Sequence, residues 1–170
     1  MKKFILIPFI ILLSLLNNAQ ANTGIAFLDM EKILSTSNPG LFILNQLEGL
    51  SEENRSKLRK DEELIIEKEK KIISKKNIIN NDQFEKEINE LKLDIREIND
   101  DRKKMINNFN KIKLNNTTKL IKLINPLLIK YADENSIIII LKKKNIKIGK
   151  KNNDITDAII EIVNNNIKEF

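Results

Sequence analysis

Three carboxylate pairs, Glu62-Glu63, Asp100-Asp101 and Asp133-Glu134, are the groups in this chain whose type and spacing could do chemistry. Adjacent carboxylates can pass a proton or hold a hard cation. Each pair lies among basic residues on a segment that reads as helix, which makes it a solvated, charge-balanced face. The 170 residues include no Cys and no His. That excludes a disulfide framework, a thiolate nucleophile, an imidazole base and the usual zinc ligands. There is no phosphate-binding glycine loop and no serine elbow. The sequence therefore points away from an enzyme and asks for no cofactor or metal.

Lysine is more informative. Thirty Lys and Arg face 24 Asp and Glu, for a formal charge of +6. Lysine far outnumbers arginine and accompanies abundant Ile and Asn, the mark of AT-rich coding, so part of the excess is compositional. Residues 68–76 concentrate it: Lys68, Lys70, Lys71, Lys75 and Lys76 stand against Glu69 alone. Two readings fit, a solvated helical surface or electrostatic capture of acidic chains or anionic lipid. A second cluster, Lys142, Lys143, Lys144 and Lys147, reads as strand-edge protection or a turn. Nucleic acid is not expected as a partner, because an export signal is present and Arg-rich or aromatic readout is missing.

That signal occupies residues 1–21. Met1-Lys2-Lys3 is a short positive start, Phe4 to Leu16 is almost unbroken apolar sequence, and Ala19-Gln20-Ala21 is a small-x-small site. Thirteen apolar residues interrupted by Pro8 fall short of the roughly 20 needed to span a bilayer. Cleavage after Ala21 is expected, with the mature chain free in the periplasm at a net charge of +4, since two lysines leave with the signal.

The elements that position the lysines follow from apolar spacing. Ile25 to Leu28 reads as a buried strand closed by Asp29, and Met30 to Ser35 as one or two helical turns. Ser37-Asn38-Pro39-Gly40 is a helix start, with Asn38 as N-cap and Pro39 at the first helical position. The helix from Gly40 to about Ile78 carries Leu58, Ile65, Ile72 and Ile79 at intervals of seven. Residues 77–83 break the pattern and make a hairpin tip, with Asp82 capping the return helix. Phe84, Ile88, Leu91, Ile95, Ile98, Arg102, Met105, Phe109 and Ile112 alternate steps of four and three, a coiled-coil repeat. A bend or restart is expected at Pro126 and a left-handed end at Asn135.

Beyond the helix, Ser136 to Leu141 reads as a strand buried on both faces, and Ile146 to Ile148 as its half-exposed hairpin partner closed by Gly149. Asp154 caps a last helix with a stripe of Ile155, Ile159, Ile162 and Ile167. The expected class is mostly α with a small β base. Residues 22–40 and 120–170 form an α/β body, and 41–119 form a coiled-coil hairpin arm. So small a base lacks disulfides and metals, which leaves self-association to complete its core.

With these features in place, the chain resembles the Skp/OmpH family of periplasmic chaperones for outer-membrane proteins. The residues that carry the likeness are Gly24-Ile25-Ala26-Phe27-Leu28-Asp29-Met30 after the signal, Ser37-Asn38-Pro39-Gly40, Ser136 to Leu141, Ile146 to Gly149, and Asp154-Ile155-Thr156-Asp157. Asn135 departs from it, standing where the family usually has glycine. The resemblance implies a jellyfish-like homotrimer, a β body joining three chains and three arms enclosing a cavity. It also implies a holdase that keeps unfolded outer-membrane barrels from aggregating without ATP. Ile25, Phe27, Ile137, Ile139, Ile155 and Ile159 are the candidate oligomer interface. The tip lysines are the candidate contact with clients, anionic lipid or lipopolysaccharide. The competing readings are a structural coiled coil of the envelope and a membrane-surface protein.

Overall fold

The structure is a computed structural model that describes residues 24–168; the expected signal segment and cleavage site lie outside the described residues. Strand β1 spans Ile25–Leu28 and helix α1 spans Met30–Thr36. The long helices are α2, Asn38–Lys75, and α3, Asn81–Glu134. Strand β2, Ile139–Lys142, and helix α4, Thr156–Asn166, complete the order. The chain is mostly helical with one small two-stranded sheet, as its composition implies.

Helices α2 and α3 pack along each other as a hairpin. At 1.5 Å per residue their 38 and 54 residues extend about 57 Å and about 81 Å. Ser37, not Asn38, is the N-cap of α2. Its hydroxyl accepts from the Gly40 N–H, while its own N–H closes α1 on the Ile33 carbonyl. One buried serine thus ends one helix and starts the next, and Pro39 follows in the first turn. Gly40 is required there, because a Cβ would lie 2.2 Å from the Leu34 carbonyl oxygen.

At the other end of the arm, α2 stops at Lys75, earlier than expected. Asn80, not Asp82, caps α3, its side chain accepting from the Gln83 N–H at 2.8 Å. Asp82 sits inside the first turn instead, where its charge suits the helix N-terminus. Helix α3 passes through Pro126 without interruption. Pro126 is exposed, so the carbonyl its ring strands can be hydrated. The left-handed residue at the end is Ser136, with φ 54, and not Asn135, whose φ is −110. Asn135 donates its side-chain amide to the Tyr131 carbonyl, and the Ile137 N–H bonds back to Ala132, a Schellman closure.

The sheet differs most from expectation. β2 pairs with β1 and runs parallel to it, with Ile25 opposite Ile139 and Leu28 opposite Lys142. Residues 146–148 form no strand; they lie between 3₁₀ turns at Lys143–Asn145 and Lys151–Asn153. The parallel pair forms because the helical hairpin returns the chain beside its start, so no hairpin turn is needed. Gly149 instead packs against the Phe27 ring, where a Cβ would approach to 2.7 Å. Nor is β2 buried on both faces within the chain: Ile139 and Leu141 are exposed and Ile140 is half-buried.

The core gathers where the chain ends meet. Ala26, Leu28, Ile33, Ile43, Leu47, Leu120, Ile124, Ile155, Ile159 and Val163 form one buried cluster. Along α4 the deepest stripe is Ile155, Ile159 and Val163, with Ile162 and Ile167 partly buried beside it. In the arm, by contrast, Ile72 and Leu91 alone are buried between residues 48 and 119. Two helices cannot enclose a seam from both sides, so Leu58, Ile65, Ile88, Ile98 and Met105 remain half-buried.

Candidate functional site

The tip lysines lie on the last turns of α2, all exposed. Two of them are taken up by the returning helix: Lys68 Nζ reaches Asp94 Oδ2 at 2.5 Å, and Lys75 Nζ reaches Glu87 Oε1 at 3.1 Å. The ammonium groups of Lys70, Lys71 and Lys76 make no ion pair among the described residues. Segment 82–94 brings five carboxylates and two lysines alongside the basic run, so the tip as a whole is close to neutral. Sequence reading singled out the lysines and missed these carboxylates. The signal was available in the hairpin's symmetry: Lys68 and Asp94 are each 13 residues from Ile-flanked position 81, and Lys75 and Glu87 each 6.

The pairing continues up the arm. Lys57 meets Asp101 at 3.4 Å on the same side as Lys68–Asp94 and Lys75–Glu87, while Arg102 meets Glu62 at 2.6 Å on the other. Arg102, the polar break in the coiled-coil repeat, is therefore neutralised across the seam. Hydrogen bonds from Lys104 and then Lys57 hold the Asp101 carboxyl below its ordinary value, and Lys104 is raised by the same contact. The expected carboxylate pairs thus serve as ion-pair partners. Among the described residues no group of three or more carboxylates could hold a metal ion.

In the body, the six candidate interface residues separate into two sets. Ile155 and Ile159 lie inside the chain's own core, and Phe27 is covered by Gly149. Ile137 packs partly against the core. Ile25 and Ile139, register partners on one face of the sheet, are about half exposed, 48% and 50%. With Leu141 on that face they form an uncovered apolar ledge, while Ala26 and Leu28 point the other way into the core.

Behind the ledge a polar network fastens the C-terminal segment to the N-terminal one. Thr156 Oγ1 accepts from the Asp29 N–H at 2.9 Å and donates to Asp154 Oδ1. Asp154 also accepts from the Thr156 N–H and pairs with Lys143 at 2.7 Å. Burial pushes the Asp154 carboxyl up, but the bonds from Lys143 and from the Thr156 hydroxyl and N–H outweigh it and hold the group below its ordinary value. Asp154 was expected as the N-cap of α4. It lies one residue earlier, Ile155 being the flanking residue, yet it satisfies a first-turn donor as a cap does.

A fold of this kind has relatives. The crystal structure of an OmpH-like candidate outer membrane chaperone from Caulobacter crescentus CB15 superposes with a TM-score of 0.79 at 14% identity, covering 86% of this chain and 87% of that one. No curated protein matches the sequence. A family model, "Outer membrane protein (OmpH-like)", matches residues 24–163, from the residue before β1 into the last helix. That span takes in the sheet, the whole arm and the Asp154–Thr156 network, and on it this chain belongs to the OmpH-like outer membrane protein family.

Proposed function

We propose that this protein is an ATP-independent holdase of the periplasm that binds unfolded outer-membrane β-barrel chains after export and keeps them from aggregating. The observation that carries the reading is the family match over residues 24–163, joined to an arm whose apolar seam stays half exposed along its length. A long surface of scattered apolar side chains holds a client through many weak contacts without imposing a fold on it. No catalytic step is required. The working form is a homotrimer assembled through the ledge of Ile25, Ile139 and Leu141, with Phe27 and Ile137 beneath it; Ile155 and Ile159 support that surface from the core. Lys70, Lys71 and Lys76, the tip lysines without an ion pair, are the ones placed to meet anionic lipid, lipopolysaccharide or acidic client segments.

One experiment tests assembly and activity together. Light scattering of the chain from Asn22 onward should give about three times the monomer mass, and the same preparation should suppress aggregation of a urea-unfolded barrel without nucleotide. A monomer at micromolar concentration rejects the assembly. Unchanged aggregation at stoichiometric trimer excess rejects the holdase.

A further inference from the structure

The two flanks of the arm differ in kind. Measured at about 100° per residue from the seam positions Ile65, Ile72, Leu91 and Ile98, one flank carries the ion pairs Lys57–Asp101, Lys68–Asp94 and Lys75–Glu87. The opposite flank carries Ile66 and Ile73 of α2 and Ile95 and Ile106 of α3, exposed by 49%, 60%, 40% and 55%. A shallow groove of about 300 Å³ lies between Ile66 and Ile95 on this side, floored by Ile65 and Ile98. The charged groups that line it, Glu62 and Arg102, are closed on each other at 2.6 Å.

We infer that the flank of Ile66, Ile73, Ile95 and Ile106 is the surface that grips the client, and that its occupant is an uncharged, apolar stretch of unfolded chain. This rests on the holdase reading. Charge complementarity selects the occupant: the groove's one ion pair is satisfied internally, so it offers no net charge to a charged segment. Covering the opposite flank would strip water from three exposed ion pairs and give them no new partner. Covering the isoleucine flank removes apolar surface from water. A barrel strand supplies apolar side chains at every second position, about 6.7 Å apart. Such a strand meets a row of isolated isoleucines in many registers, so the grip needs no particular sequence.

The test compares two sets of exposed positions in the full mature chain. The variant Ile66→Ser/Ile73→Ser/Ile95→Ser/Ile106→Ser should need about fivefold more protein for the same suppression of barrel aggregation. The control Leu64→Ser/Leu93→Ser/Leu114→Ser, also exposed but off this flank, should match the parent. Equal activity of parent and flank variant overturns the inference, as does an equal loss in the control. A parent that suppresses nothing removes the holdase reading itself, before either variant is compared. Because the chain has no Cys, a photo-crosslinker on a single cysteine introduced at Ile66, Ile73 or Ile106, against Leu64, Leu93 or Glu97, gives an independent measure should the multiple variant fail to fold. Client adducts should form at the first set, and equal adducts on both sets overturn the inference.

Discussion

The hydroxyl of Thr156 accepts the backbone N–H of Asp29 at 2.9 Å across 127 residues of sequence. It ties the end of β1 to the start of α4, on which Ile159 and Val163 close the core. Thr156→Val keeps the shape and removes the acceptor, leaving the Asp29 N–H without its partner. The expected loss is about 1–3 kcal/mol. Urea unfolding should show a lower midpoint at unchanged slope.

Gly40 and Gly49 lie in the same helix and should respond to alanine with opposite signs. At Gly40 a methyl group meets the Leu34 carbonyl at 2.2 Å, backbone against backbone, so the junction of α1 and α2 must move. A cost of about 3 kcal/mol or more is expected. At Gly49 nothing lies within 4 Å, and alanine is the better helix former, so a gain of about 0.5–1 kcal/mol is expected. Thermal melts of the two variants decide it.

Acid should loosen the body through Asp154. Its folded carboxyl is held below the ordinary value of 3.8, so its contribution is complete above that pH and is lost as the pH falls through the lower folded value. Asp154→Asn should flatten the fall in stability between about pH 6 and about pH 2.5. Asp101→Asn, at an exposed ion pair, should leave that fall nearly unchanged. Urea midpoints across the range give the comparison.

At the tip, the lysines should not be equivalent. Lys70→Glu, Lys71→Glu and Lys76→Glu together should weaken sedimentation with anionic vesicles, most at low salt, by about 1 kcal/mol for each lysine that reaches the surface. Replacing Lys68 and Lys75 by Gln should have a smaller effect on vesicles, because Asp94 and Glu87 already neutralise them. Equal effects would show that the ion pairs open on binding.

Much of this fold can be read from local pattern. The helices declare themselves through Ile65, Ile72, Leu91 and Ile98 at heptad spacing, because a side chain's face on a helix depends only on its position along the chain. Strand β1 and the short helix α1 are legible for the same reason. The cap at Ser37 and the left-handed Ser136 are not, because each neighbour offers an equally suitable side chain and the choice depends on which group reaches the orphan donor or carbonyl. The strand at 146–148 was misplaced for a different reason: alternation marks a segment that can pair, not one that finds a partner.

Amino-acid content alone excluded thiol and imidazole chemistry, and periodicity alone required a long helical hairpin. The tertiary structure decided what the charges mean. Helix α3 folds back beside α2, placing Asp94 and Glu87 against Lys68 and Lys75, and an apparently basic tip becomes a nearly neutral one. The same fold-back gathers the exposed isoleucines on one flank and the ion pairs on the other. Electrostatic attraction and burial depend on distance in space, and residues 26 positions apart in sequence become neighbours only when the hairpin closes.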